Sequence, residues 1–129
     1  MNAVASVMIV DDDDDIREIG TLVLESEGYR VAAARDGLDA MDMLERSPAP
    51  GVILLDLMMP RMDGEQFLKA LRSSDKAHIP VVLMSGHNEA SEIARVLSAD
   101  ALLRKPVDLD ILLKTVRKLI PHGPPPGVH

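Results

Sequence analysis

Three carboxylates, a hydroxyl and an ammonium occupy comparable places in this chain, each closely following a short apolar run. Val7, Met8, Ile9 and Val10 lead into Asp11 and Asp12, and Val52 to Leu55 lead into Asp56. The run that ends at Met84 precedes Ser85, and Ala101 to Leu103 lead towards Lys105. If these runs are strands of one parallel sheet, all five groups gather beyond its C-terminal edge, where such sheets bind ligands. Three carboxylates at one edge repel one another unless a divalent cation neutralises them. Hard oxygen ligands suit Mg2+, with Mn2+ as the alternative. A main-chain carbonyl in the loop just after Asp56 can add a ligand. Lys105 and Ser85 then face the same spot as a cation and a hydrogen-bond donor, a set suited to the equatorial oxygens of a transferring phosphoryl group. Asp56, alone on its strand, is placed to act as nucleophile and form an acyl phosphate.

Each residue has an ordinary reading when taken alone. Aspartates at strand ends commonly cap helices, and Asp13 to Asp15 suit the first turn of one. Ser85 by itself reads as a cap, Lys105 as a solvated lysine and His87 as a surface histidine. The methionines read mostly as core filler. The chemistry is carried by the recurrence of Asp, Asp, Asp, Ser and Lys at equivalent ends of one repeating unit.

That unit is a strand followed by a helix, five times over. After residues 7–10, Ile16, Ile19, Leu22 and Val23 have the spacing of a helix with one buried stripe, with Asp13 or Asp14 as N-cap and Gly28 as the stop. Tyr29 to Ala34 is a second strand. Asp36 caps a helix running to Arg46 with Leu38, Met41 and Leu44 inward, and residues 47–50 are a turn. A strand over residues 52–55 ends on Asp56. Residues 60–64 form a tight loop, and residues 65–73 a helix with Phe67, Leu68 and Leu71 against the sheet. Pro80 opens a strand through Met84. Residues 88–97 are a helix presenting Ala90, Ile93, Ala94 and Leu97, and residues 101–103 the last strand. Asp108 caps a helix to Ile120, with Val107 and Leu112 as a hydrophobic staple and Leu109, Leu112, Leu113, Val116 and Ile120 on its apolar side. Alternating units with short apolar runs predict an α/β fold, a parallel sheet with helices on both faces. Residues 6–120 form the domain. Residues 121–129, with four prolines and two glycines, read as a flexible tail or the start of a linker.

Composition narrows the function. At 129 residues with 47% apolar content the chain is one globular domain. A net charge of -7 argues against nucleic-acid binding and against anionic membrane surfaces. With Phe67 and Tyr29 as its only aromatics, the core must be aliphatic and base-stacking platforms are lacking. No run reaches membrane-spanning length, no signal peptide is visible, and there are no cysteines. This fits a cytoplasmic protein. A Rossmann nucleotide site is disfavoured, since aspartates occupy the turn where a glycine-rich phosphate loop is needed.

The stretches VMIVDDDDDIRE, GVILLDLMMPRMDG, IPVVLMSG and ALLRKP resemble the receiver domain of two-component response regulators, from Val7 to about Leu119. The resemblance implies a flavodoxin-like (βα)5 fold of strand order 2-1-3-4-5. It implies Mg2+ on Asp11 and Asp12, phosphorylation of Asp56, a metal-binding main-chain carbonyl at Met58, a switch hydroxyl at Ser85 and the family's lysine at Lys105, before a Pro106 whose peptide bond is often cis. The phosphoryl donor would be a phosphohistidine of a sensor histidine kinase or a histidine phosphotransfer protein. The output would be a changed contact with a downstream protein or a fused domain, without ordinary enzymatic turnover. Leu102 departs from the family's switch aromatic, and Val107 replaces a frequent Phe; both bear on the face formed by the fourth helix, fifth strand and fifth helix. The bulk of Met58 implies slow self-hydrolysis, and the small Gly86 keeps the approach open.

Two other classes compete. A Mg2+-dependent phosphatase or hydrolase would place its acid/base aspartate two residues after the nucleophile, where Met58 stands. A non-phosphorylated receiver-like module that only binds protein would not need the five-residue set.

Overall fold

The computed structural model describes residues 5–86 and 90–120. In chain order the elements are β1 (Ser6–Val10), α1 (Asp14–Ser26), β2 (Arg30–Ala34), α2 (Gly37–Arg46) and β3 (Val52–Asp56), then α3 (Gly64–Arg72), β4 (Val81–Ser85), α4 (Ala90–Val96), β5 (Ala101–Arg104) and α5 (Leu109–Leu119). The five strands form one parallel sheet in the order β2-β1-β3-β4-β5. The chain order reverses between β1 and β3, which places a crevice beyond their C-terminal ends.

The three inner strands β1, β3 and β4 carry uninterrupted apolar runs because both their faces are covered. Met8, Val10, Ile53, Leu55, Val81 and Leu83 point to one face, where they meet Ala40 and Leu44 of α2, Phe67, Leu68 and Leu71 of α3, and Ala90 of α4. Val7, Ile9, Val52, Leu54, Val82 and Met84 alternate to the other, against Leu24 of α1 and Leu112 and Val116 of α5. Each of these side chains larger than alanine contributes about 1.5–3 kcal/mol by leaving water. The core is aliphatic, as expected, with Phe67 its largest fully buried side chain.

Helix starts follow local chemistry. The Asp13 carboxylate accepts from the Asp15 and Ile16 amides, Asp36 accepts from Asp39, and Asp108 accepts from Asp110 and Ile111. Asp63 forms a reciprocal capping box with Gln66, for which the Asp-x-x-Gln spacing is the signature. Val107 and Leu112 share one cluster, in keeping with the expected staple.

Several inward assignments fail. Ile19, Leu22, Leu38 and Leu109 are all exposed. In α1 the contact face is instead Gly20 and Leu24, four residues apart. A Cβ on Gly20 would stand 2.9 Å from Ile9 Cδ1, so the helix lies too close to β1 for a larger residue there. In α2, Gly37 and Ala40 do the same with Leu44. A reading that counts large apolar side chains rotates both helices away from faces that small residues carry. Residues 87–89 and 121–129, and with them His87 and the histidines at 122 and 129, lie outside the described residues.

Candidate functional site

The C-terminal ends of β1, β3, β4 and β5 bring together every side chain that the sequence pointed to. They line a cleft of about 520 Å³ formed with Asp12, Asp13, Met58 and Gly86. One liquid water takes about 30 Å³, so a hydrated cation and a phosphoryl group fit side by side.

Asp11 leaves β1 fully buried. Its amide donates to Ala34 O (3.1 Å), its Oδ1 accepts from the Asp13 amide (2.9 Å), and its carbonyl accepts from Arg17 (2.7 Å). Asp56 is 4% exposed and its Oδ1 is 3.1 Å from Lys105 Nζ. The same Nζ is 3.1 Å from Asp11 Oδ2. One ammonium therefore bridges carboxylates from two neighbouring strands, and Lys105 itself is carried by β5, whose end is tied to β4 by the Lys105 amide on Ser85 O (3.1 Å). The peptide bond between Lys105 and Pro106 is cis. Ser85 is buried at the end of β4, paired in register with Arg104.

Asp12 is exposed and completes the acidic set. Asp11, Asp12 and Asp56 each offer a carboxylate oxygen, and these lie within 4.8 Å of one another. Three hard oxygen donors at this spacing fit a small divalent cation, and the acidic cluster matches the metal site of a receiver domain. Asp13, by contrast, is engaged as the cap of α1, while Asp14 pairs with Arg17 and Asp15 is exposed.

Charge is unevenly compensated here. Burial first, and then the neighbouring Asp11 charge, push the Asp56 carboxyl up to about 6, against the opposing effect of Lys105. Burial alone would lower the Lys105 ammonium; the carboxylates of Asp11 and Asp56 outweigh it and hold the group above the ordinary lysine value. A second cation in the cleft would relieve Asp56 in a way that one lysine does not.

Met58 is 54% exposed at the rim, and its amide approaches Asp56 Oδ1 at 3.4 Å. Among the described residues, a Cβ on Gly86 would come nearest to Lys105, at 4.0 Å. Leu102, in register with Leu83 of β4, packs against the cluster on the face of the sheet that holds Leu83 and Ala90. Two groups escaped the sequence reading. Nothing in the local sequence marks Arg17 or Arg61, yet each is bonded to a segment that shapes the cleft.

A family model described as the response regulator receiver domain matches residues 7–117. Response regulator MprA of Mycobacterium avium is 37% identical over 116 residues, covering 88% of this chain and 50% of the relative. The chain thus spans about half the length of the curated relatives it matches. Among solved structures, chemotaxis protein CheY4 of Vibrio cholerae is 32% identical with a TM-score of 0.83, covering 91% of this chain and 99% of that one. A receiver protein from Pseudomonas putida is 30% identical with a TM-score of 0.86, covering 92% and 99%.

Proposed function

The chain belongs to the response regulator receiver family, and from that premise we propose that Asp56 accepts a phosphoryl group from a phosphohistidine of a sensor histidine kinase or a histidine phosphotransfer protein. The chain is a receiver domain of two-component signalling and not an ordinary turnover enzyme. Residues 6–120 constitute the receiver, working in the cytoplasm, and residues 121–129 a tail or linker. None of the described helices is long and apolar enough to cross a membrane.

The observation that carries the reading is the single Lys105 ammonium held 3.1 Å from both Asp11 and Asp56, with Asp12 beside them. Asp11, Asp12, Asp56 and the Met58 carbonyl would hold Mg2+, or Mn2+ in its place, and the bound cation would neutralise the carboxylates and the phosphoryl oxygens. Asp56 attacks phosphorus in line; its carboxylate oxygen forms a P–O bond as the P–N bond to the donor imidazole breaks. The electron pair leaves with the imidazole, which takes up a proton. Lys105 pairs with the new phosphoryl oxygens, and the Ser85 hydroxyl moves to donate to one of them. That movement shifts a two-state equilibrium in the loop after β4 and in α4, with Leu102 in place of a ring. A downstream protein or fused output domain reads the change. Water then attacks the acyl phosphate, releasing inorganic phosphate and restoring Asp56.

Incubation with acetyl phosphate and Mg2+, read by intact mass, tests this. A gain of one phosphoryl group that Asp56→Asn abolishes is the expected result. Turnover without a stable adduct favours the hydrolase, and no gain under conditions that phosphorylate a control receiver favours the binding module.

Lifetime offers a further check. The exposed Met58 side chain stands at the cleft rim, where an apolar body obstructs an attacking water. Met58→Asn should shorten the half-life of the phosphorylated protein by about 3- to 10-fold, roughly 1 kcal/mol of barrier. Equal decay of variant and parent would contradict the shielding role.

A further inference from the structure

β2 is the one strand that contributes no side chain to the cleft, yet its C-terminal end touches both segments that carry the metal ligands. Ala34 O accepts the amide of Asp11 (3.1 Å), which fixes the end of β1. Two residues later Asp36, 5% exposed, receives Arg61 from the loop between β3 and α3: Nε donates to Oδ2 at 2.7 Å, and a second guanidinium nitrogen lies 2.5 Å from the same oxygen. The next residue, Gly37, donates its amide to Met62 O at 3.1 Å. Met62 is packed so tightly there that a Cβ on Gly37 would lie 2.6 Å from its Cγ and 2.8 Å from its carbonyl.

A helix cap needs none of this. Asp36 caps α2 with Oδ1, which accepts the Asp39 amide at 2.9 Å, so its Oδ2 is left for a residue 25 positions away. Arg61 also has φ 63, a left-handed conformation that L side chains rarely adopt. Glycine would adopt it freely, so the side chain has a use that outweighs the strain.

We infer that the turn from β2 into α2, through the ion pair of Asp36 with Arg61 and the contact of Gly37 with Met62, positions the loop after β3 for metal binding. That loop carries Met58 between Asp56 and Arg61, so tethering Arg61 and Met62 limits where the Met58 carbonyl can lie. Asp36 and Arg61 are positioning residues and touch no reacting atom. The inference rests on the metal site proposed above.

The test is the affinity of the full chain for Mn2+, read from the free-ion electron paramagnetic resonance signal. Arg61→Gly removes the guanidinium and suits the observed φ. Asp36→Asn keeps a capping oxygen and removes the charge. Each should weaken Mn2+ binding roughly tenfold, as loss of groups that orient metal ligands does. The double variant should be no worse than the worse single one by more than about twofold, because both remove one interaction, and Arg61→Lys should recover part of the loss. A helix cap without a positioning role would lower the urea midpoint and leave this affinity alone. Arg61 is half exposed, so its variants decide the matter even if Asp36→Asn does not fold. If the parent binds Mn2+ and Arg61→Gly binds it within twofold as tightly, the positioning role is wrong and the receiver reading stands. If the parent binds no Mn2+, the metal site and this role fall together.

Discussion

Asp12→Asn should reduce Mg2+-dependent phosphorylation by acetyl phosphate at least about 100-fold, while Asp15→Asn leaves the rate within about twofold. A 100-fold loss corresponds to about 2.7 kcal/mol of barrier. The five consecutive aspartates divide sharply by environment. Asp11 is buried and already bonded to Lys105 and to the Asp13 amide. Asp12 is exposed to the cleft and offers an oxygen within 4.8 Å of those of Asp11 and Asp56. It is the carboxylate of the set best able to give its charge to an incoming cation. Asp13 is committed to capping α1, and Asp15 belongs to the solvated first turn, where it serves only the helix. Initial rates against Mg2+ concentration for the two variants check the division, and equal loss from both would break it.

Asp56→Asn should stabilise the metal-free protein by about 1–2 kcal/mol at pH 7.5, a rise of roughly 5 °C in melting temperature. The Asp56 carboxyl is raised from 3.8 to about 6, chiefly by burial and then by Asp11. A shift of that size corresponds to roughly 3 kcal/mol between the two protonation states. Between pH about 4 and about 6 the folded chain holds more protons than the unfolded one. Stability therefore falls as pH rises through that window, and the parent carries the full penalty above it. Asparagine escapes the penalty but gives Lys105 a weaker partner, so the gain is smaller than the shift alone implies. The difference should shrink to near zero by pH 4. It should also shrink when Mg2+ is added, because the cation stabilises the parent by binding its folded state. Urea denaturation with chelator at pH 4.5, 6 and 7.5 is the check; a variant less stable than the parent at pH 7.5 would contradict this account of the site. The residue best suited to accept a phosphoryl group would thus be a burden on the resting fold.

Much of this was legible in the sequence because the strands are buried on both sides. Val52 to Leu55 and Val81 to Met84 have no polar interruption, and a break into Asp56 or Ser85 marks the point where each leaves the core. Helix orientation was less legible. Gly20 and Ala40 carry no periodic hydrophobic signal, yet they hold the contact faces of α1 and α2, which turned Ile19, Leu22 and Leu38 to solvent. The cleft side chains could be placed because each is the last residue of its strand or lies one or two beyond it. Arg17 and Arg61 could not. Arg17 reaches the Asp11 carbonyl only through the packing of α1 beside β1, and the pairing of Arg61 with Asp36 joins residues 25 apart through a left-handed backbone at an arginine, which no local pattern announces. The second strand, which lends the cleft no side chain, supplies the frame on which two of its loops are hung.

The central claim is that the phosphoryl group becomes bonded to Asp56. Borohydride reduces an aspartyl phosphate to an alcohol, so treating the phosphorylated chain and mapping its peptides by mass locates the bond directly. The account predicts conversion at position 56 alone, dependent on Mg2+ and lost when the sample is left to hydrolyse first. Conversion at Asp11 or Asp12, or a phosphoryl group that resists borohydride and resides elsewhere, would contradict it.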